Sequence, residues 1–154
     1  MNKIFCEGNQ LINLISNSKI GATATIHGRE PYANISGEVL FYDFDKDTVV
    51  VCLLHNLPNT PTNFFGFHIH EEGSCEGDFS SAGPHFGEGN HPNHAGDMPV
   101  ILNAGGNAFL AFCTNRFTVS DVIGKSVVIH SMPDDYRSQP SGDSGERIAC
   151  GIIK

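Results

Sequence analysis

The feature that most constrains the fold is a series of eight short runs of apolar and β-branched residues, with Gly, Pro, Asn and Asp between them. Runs of this kind are typical of β-strands, and helical periodicity is almost absent from the chain. The pattern predicts an all-β fold, an eight-stranded Greek-key β-sandwich or flattened barrel of immunoglobulin-like type. The predicted strands are Ala22–His27, Ile35–Asp43, Thr48–His55, Phe64–His70, Met98–Asn103, Ala108–Thr114, Lys125–His130 and Arg147–Ile153.

Two connections between these strands, Glu71–Asp97 and Ser131–Glu146, are long. Segments of this length without regular structure are usually functional when they occur in a compact domain. Residues 1–20 precede the first strand, and the pattern at Gln10–Asn17 predicts one or two helical turns. We therefore expect an N-terminal extension, residues 1–20, and one domain, residues 21–154, which is long enough for a core of its own.

The formal net charge of −8 bears on the partners of the chain. A strongly acidic protein is a poor ligand for polyanions, so we expect no nucleic-acid partner and no anionic membrane surface. No stretch approaches the roughly 18 apolar residues that cross a membrane. The first residues do not have the pattern of a secretory leader, which predicts a cytoplasmic location, or a periplasmic or secreted one if a leader was removed.

Six of the eight histidines fall into three short runs with the spacing of metal ligands. His68 and His70 are two residues apart on a predicted strand, so both side chains leave the same face. Imidazole suits copper and zinc alike, and a carboxylate among histidines suits zinc. These runs make a site for two metal ions the leading hypothesis. The candidate ligands are His68, His70, His85, His91, His94, Asp97 and His130.

The chain has five cysteines, so at least one thiol stays free unless it pairs between chains. Cys75 and Cys150 lie beside the segments that carry the candidate ligands. Cys6, Cys52 and Cys113 lie in apolar or N-terminal contexts, for which we predict buried, inert thiols.

In order, spacing and flanking residues, these motifs resemble copper–zinc superoxide dismutases, particularly the compact bacterial forms. The likeness extends from about Gly21 to the C-terminus and includes enough ordered motifs to be highly specific. The matching stretches are Gly66–His70, Ser81–Phe86, His94–Asp97, Val127–His130 with Asp134 and Asp135, and Gly145–Gly151.

This resemblance implies copper and zinc as cofactors and gives each motif residue a role. It implies that Asp134 orients ligands of both metals, and that a disulfide between Cys75 and Cys150 ties the first long connection to the last strand. His85 would bridge the two ions and act in catalysis, and Arg147 would guide the anionic substrate. The implied ligands are His68, His70, His85 and His130 for copper, and His85, His91, His94 and Asp97 for zinc.

The activity implied by the resemblance is the disproportionation of two superoxide anions to dioxygen and hydrogen peroxide, at a redox-cycling copper that a histidine bridges to zinc. The oligomeric state is not fixed by it, and a homodimer stays open. The segment from His85 to His91 is about two residues shorter than in related sequences. Asp143 and Glu146 add negative charge near Arg147, from which we expect weak electrostatic steering of superoxide.

Two other functions are compatible with parts of the pattern. A copper-binding or chaperone module on the same fold would bind metal without dismutase activity, but such proteins tend to lack part of the copper set or the arginine. A zinc hydrolase needs an open coordination position and a nearby general base, and the second histidine cluster offers neither. A purely structural sandwich would not need six ordered histidines.

Overall fold

The computed structural model describes residues 8–154, which form nine β-strands, two α-helices and one 3₁₀-helix. The helices are α1 (Gly8–Asn17), the 3₁₀-helix Ser80–Ala82, and α2 (Val119–Val122). The strands are β1 (Ala22–Gly28), β2 (Ser36–Phe44), β3 (Asp47–His55), β4 (Phe64–Phe65), β5 (Phe67–His70), β6 (Ile101–Leu102), β7 (Ala108–Thr114), β8 (Ser126–His130) and β9 (Arg147–Ile152).

Seven of these strands form one curled antiparallel sheet in the order β5-β8-β9-β1-β2-β3-β7, and β4 and β6 form a second, two-stranded sheet. The apolar core lies inside the curl, where Ile26, Phe41 and Phe67 are among the fully buried side chains. The predicted all-β Greek-key class is confirmed. The strand order places β5, which precedes β6 and β7 in the chain, directly beside β8.

The predicted strand Phe64–His70 is divided at Gly66 into β4 and β5, which belong to different sheets. A Cβ atom at Gly66 would lie 2.9 Å from the Cβ of Ser144 and 3.2 Å from that of His130, so the close approach of these two residues requires glycine. The predicted strand Met98–Asn103 is reduced to β6, because Pro99 has no amide to donate to a ladder. The division at Gly66 alone changes the predicted eight strands into nine.

Helix α1 begins two residues before the predicted helix and packs on the outer face of the large sheet. Its apolar residues Leu11, Leu14 and Ile15 contact a cluster that includes Val49 and Val51 of β3. Strand β3 is therefore covered on both faces, which explains its nearly continuous apolar sequence. Among residues 8–154, no helix is long and apolar enough to cross a membrane.

The described cysteines have two different states, disulfide-bonded and free. Cys75 and Cys150 form a disulfide that ties the first long connection to β9. Cys52 is a buried free thiol, as predicted, and burial raises its pKa to about 12. The prediction for Cys113 is wrong, because this residue is disulfide-bonded. Cys6 lies outside the described residues.

Candidate metal centre

Three of the candidate copper ligands lie on the neighbouring strands β5 and β8. His68 pairs with Val128 across this antiparallel ladder, and His130 follows Val128 by two residues, so the side chains of both histidines share one face. The ring centroids of His68 and His130 are 4.8 Å apart, and those of His70 and His130 are 5.4 Å apart. All three rings are buried. The sheet itself therefore brings these imidazoles together.

The first long connection runs along the other edge of β5. The Phe86 N–H donates to the Ile69 carbonyl at 2.8 Å, and the Ile69 N–H donates to the Gly96 carbonyl at 2.9 Å. These backbone hydrogen bonds place His85 opposite His70 and Asp97 opposite His68. The middle and the end of the connection are thus fixed to the strand that carries two of the copper candidates.

The Asp97 carboxylate faces three imidazoles of the same connection. Its Oδ1 accepts a hydrogen bond from His85 Nδ1 at 2.7 Å, and its Oδ2 lies 3.1 Å from His94 Nδ1 and 3.2 Å from His91 Nδ1. Burial raises the pKa of Asp97, but the hydrogen bond from His85 and the charges of the imidazoles outweigh it and lower the pKa to about 2. Asp97 is therefore ionised at neutral pH, as a metal ligand must be.

The Asp134 carboxylate lies between the imidazoles of β5 and those of the first long connection. Its Oδ2 accepts a hydrogen bond from His68 Nε2 at 2.7 Å, and its Oδ1 accepts one from His91 Nε2 at 2.8 Å. Burial raises the pKa of Asp134, but the hydrogen bonds from His68, from the Tyr136 backbone and from His91 outweigh burial and lower this pKa. Because both rings donate through Nε2, each keeps a lone pair on Nδ1. This is the atom that each ring can offer to a metal ion together with the other candidate ligands of that metal.

Gly142, in the second long connection, lies directly over this carboxylate with a φ of 72°. A Cβ atom at this position would lie 2.7 Å from Asp134 Cγ and 2.7 Å from His91 Nε2. Glycine is therefore required both by the backbone conformation and by the space that the Asp134–His91 hydrogen bond occupies.

Four buried ring nitrogens in the described structure have no hydrogen-bond partner. An unpaired buried polar atom is costly, so these atoms point to a partner that protein groups do not supply. Burial also lowers the pKa of His68, His70 and His130, which favours the neutral form that binds metal. The four atoms are His68 Nδ1, His85 Nε2, His91 Nδ1 and His130 Nδ1.

The ligand atoms form two groups, each compact enough to surround one ion. In each group, one atom from every member lies within 4.8 Å of the others, and His85 belongs to both. Four imidazoles form a donor set that suits copper(II), and three imidazoles with a carboxylate suit zinc. The residues present therefore fit both metals. We call the first group, which is His68, His70, His85 and His130, the copper group, after the metal that its donors suit. We call the second, which is His85, His91, His94 and Asp97, the zinc group.

Arg147 borders a cavity of about 300 Å³ that opens beside the copper group and is also lined by Ser141. Its guanidinium donates to the carbonyls of Phe79 at 2.7 Å and Gly83 at 2.8 Å. The same Gly83 carbonyl accepts a hydrogen bond from His70 Nδ1 at 2.8 Å, so one backbone group orients both the arginine and a copper candidate. A larger cavity of about 490 Å³ lies behind the zinc group and contains none of the copper candidates.

Every candidate metal ligand lies at this centre together with Asp134 and Arg147, but two polar side chains that contact it were missed. The Gln139 side-chain amide pairs with the backbone of His91, donating at 2.7 Å and accepting at 3.1 Å. Arg116 Nη1 lies within hydrogen-bond distance of three backbone carbonyls of residues 92–97. Both act on backbone atoms far away in sequence, and no local motif indicates such contacts.

Comparison with known proteins points to a single family. The family model for copper/zinc superoxide dismutase (SODC) matches residues 35–153. A copper–zinc superoxide dismutase of Legionella pneumophila is 32% identical over 142 residues, which cover 86% of each chain. One from Aquifex aeolicus is 38% identical, covering 79% of this chain and 82% of the relative, and one from Schizosaccharomyces pombe is 32% identical, covering 87% and 97%. The chain therefore belongs to the copper/zinc superoxide dismutase family.

Proposed function

We infer that this protein is a superoxide dismutase that converts two superoxide anions and two protons to dioxygen and hydrogen peroxide, with copper and zinc as cofactors. The observation that carries the inference is the position of His85, which belongs to both ligand groups. A binding module needs only one group, whereas a ring shared by two groups couples a redox metal to a second cation. Membership of the family supports the same activity.

The proposal assigns each ligand to one metal or to both. Copper is held by the four imidazoles on β5, β8 and the start of the first long connection, and zinc by the three imidazoles and the carboxylate of that connection. Asp134 orients one ligand of each metal through its two oxygens. The copper ligands are His68, His70, His85 and His130, and the zinc ligands are His85, His91, His94 and Asp97.

When bound, copper supplies a centre that alternates between two oxidation states, and zinc supplies a fixed positive charge. The protein supplies proton transfer and orientation. His85 turns Nδ1 towards Asp97 and leaves the buried Nε2 without a protein partner. This ring is therefore placed to carry a proton at Nε2 and to donate it to the peroxide product in the adjoining cavity.

Arg147 has the task of attracting an anion to a protein that carries a net charge of −8. Its guanidinium borders the cavity and is fixed by two backbone carbonyls, so its charge is presented at one place. Burial lowers the pKa of Arg147, and the nearby Asp78 opposes this, but an arginine stays charged at neutral pH. A fixed cation at the entrance raises the local concentration of superoxide.

The test is metal analysis together with a superoxide-consumption assay on protein reconstituted with copper and zinc. We expect one copper and one zinc per chain and rapid loss of superoxide. We also expect Arg147→Ala to lower the second-order rate constant about tenfold while copper stays bound. The matched control is Arg137→Ala, at an exposed arginine of the second long connection, which should leave the rate unchanged.

Two results would contradict the proposal. Stoichiometric copper and zinc without dismutation would favour the copper-binding module instead. Loss of copper from Arg147→Ala would place this arginine among the groups that hold the metal and would refute its guiding role.

The partners and the compartment are further parts of the proposal. Superoxide is the small-molecule partner, nucleic acid is not expected from the negative charge, and a homodimer is tested by sedimentation of the reconstituted protein. The division into an extension, residues 1–20, and a domain, residues 21–154, is tested by deleting the extension.

Against a cytoplasmic location, the disulfide between Cys75 and Cys150 favours an oxidising compartment such as the periplasm. Cell fractionation decides between them.

A further inference from the structure

Arg116 makes an unusual set of contacts with the backbone of the zinc-ligand segment, residues 91–97. It follows β7 and precedes α2, so it belongs to neither long connection. Its Nη1 lies 3.0 Å from the Pro92 carbonyl, 3.2 Å from the His94 carbonyl and 3.1 Å from the Asp97 carbonyl. One cationic nitrogen therefore contacts the carbonyls of two zinc candidates and a third carbonyl just after His91.

These carbonyls belong to the same short segment that carries the ligand side chains of His94 and Asp97. Within this segment, the His94 N–H donates to Asp97 Oδ2 at 2.9 Å, and the Asp97 N–H donates to the His94 carbonyl at 3.2 Å. Converging carbonyl dipoles repel one another, and a positive charge among them removes that repulsion. Hydrogen bonds from a charged donor are also about twice as strong as neutral ones. Arg116 thus favours the one backbone conformation that directs His94 and Asp97 towards His85.

We propose that Arg116 is a positioning residue for zinc: it touches no ligand atom, and it raises zinc affinity by fixing the backbone of residues 91–97 before the ion binds. Groups behind the direct ligands commonly change metal affinity by about 10–100-fold. The inference rests on the proposed zinc ligands and adds to them a determinant that lines the larger cavity and not the cavity beside the copper ligands.

The experiment measures zinc affinity in copper-free protein by competition with a chromogenic chelator. We expect Arg116→Met, which keeps an unbranched apolar stem but removes the guanidinium, to lower the zinc affinity about tenfold. Arg116→Lys should recover part of this loss, because an ammonium group has three donors for the carbonyls. Lys46→Met removes the same charge from the exposed turn between β2 and β3 and should leave zinc affinity unchanged.

A second measurement separates positioning from a general contribution to stability. Positioning predicts that Arg116→Met lowers the unfolding free energy of the zinc-loaded protein more than that of the metal-free protein. It also predicts an unchanged visible spectrum for the Co²⁺-substituted protein at saturating metal, because the four ligands stay the same. An equal loss of stability in both forms, or a zinc affinity within twofold of the wild type, would overturn the inference.

The same data show whether the ligand assignment has failed instead. If wild-type protein takes up no zinc, or if His94→Ala binds zinc as tightly as wild type, the proposed zinc site is wrong. If wild-type protein binds zinc through His94 and Arg116→Met binds it equally well, the zinc site stands and the role of Arg116 is refuted.

Discussion

The two ligand groups share His85 but are built in different ways. Three copper candidates lie on neighbouring strands, and the ladder between β5 and β8 sets the distances between them. The zinc candidates beyond His85 lie on a connection that has no strand partner between residues 87 and 95. Here the backbone is held by polar side chains from distant parts of the chain, above all Arg116 and Gln139.

This difference predicts different sensitivities. A strand ladder distributes its support over many backbone hydrogen bonds and a packed core, so one polar substitution changes it little. A connection held by a few side chains loses a large part of its support when one of them is removed. The copper group should therefore persist through changes that weaken the zinc group.

The largest effect is expected from the crosslink that ties the first long connection to the sheet. The disulfide between Cys75 and Cys150 closes a loop with a sequence separation of 75 residues. In the chain-entropy account, the double variant Cys75→Ala, Cys150→Ala lowers the free energy of unfolding by about 4 kcal/mol. Urea unfolding of the metal-free protein measures this change. Because the ladder between β5 and β8 is untouched, the loss in free energy of copper binding should be much smaller than the loss in free energy of unfolding.

The matched control for the crosslink is Cys52→Ala, which removes a buried thiol that forms no disulfide. Its cost should be about 1 kcal/mol, the usual size for a small core truncation. If the double variant costs no more than this control, the connection is held without its crosslink. A collapse of copper affinity in the double variant would show that the copper group depends on the connection as much as the zinc group does.

The next largest effect is expected at Asp134, which touches both groups. In Asp134→Asn the side chain keeps its shape, but the new amide nitrogen faces one of the two histidine N–H donors. This substitution should lower zinc affinity about 10–100-fold, because His91 depends on its hydrogen bond to the carboxylate for its orientation. Copper affinity should fall by much less than zinc affinity, because His68 is also held by β5. Chelator competition with each metal measures both.

Asp143→Asn is the matched control, since it removes one exposed charge from the same connection. It should leave both affinities close to wild type. Equal losses of copper and zinc affinity in Asp134→Asn would contradict the difference between the two groups, because the strand would then give His68 no advantage over His91.

The same contrast explains how much of the molecule could be predicted from the sequence. Alternation and turn residues indicate strands directly, and the two-residue spacing of His68 and His70 places both on one face. The sequence therefore predicted the β-fold, and the structure has His68 and His70 on one strand, as the spacing indicated. The resemblance to a family supplied Asp134, Arg147 and the disulfide, none of which follows from periodicity.

What the sequence could not indicate depends on contacts between distant backbone and side-chain atoms. The division of one predicted strand at Gly66 follows from the approach of Ser144, which is 78 positions further along the chain. The contacts of Arg116 with three carbonyls and of Gln139 with His91 have the same character. An exposed arginine and a glutamine in a loop have no distinguishing pattern of their own.

The smallest effect is a dependence of stability on pH that separates the two groups in the metal-free protein. Burial lowers the pKa of His68, His70 and His130 below the ordinary value of 6.5. As the pH falls through that value, the unfolded chain takes up protons that the folded protein does not, so stability decreases. The pKa of Asp97, in the zinc group, is lowered from 3.8 to about 2, so its contribution is lost only between those values.

A decrease in the free energy of unfolding between pH 7 and pH 6 should therefore come from the copper histidines and not from Asp97. Urea unfolding of the chelator-treated protein at these two pH values measures it. His70→Asn removes one buried titrating ring and should reduce the decrease, whereas His27→Asn, at an exposed histidine of β1, should leave it nearly unchanged. If His70→Asn has the wild-type dependence on pH, burial in the sheet does not hold these rings neutral. The main argument that the copper group is formed before metal binds would then be refuted.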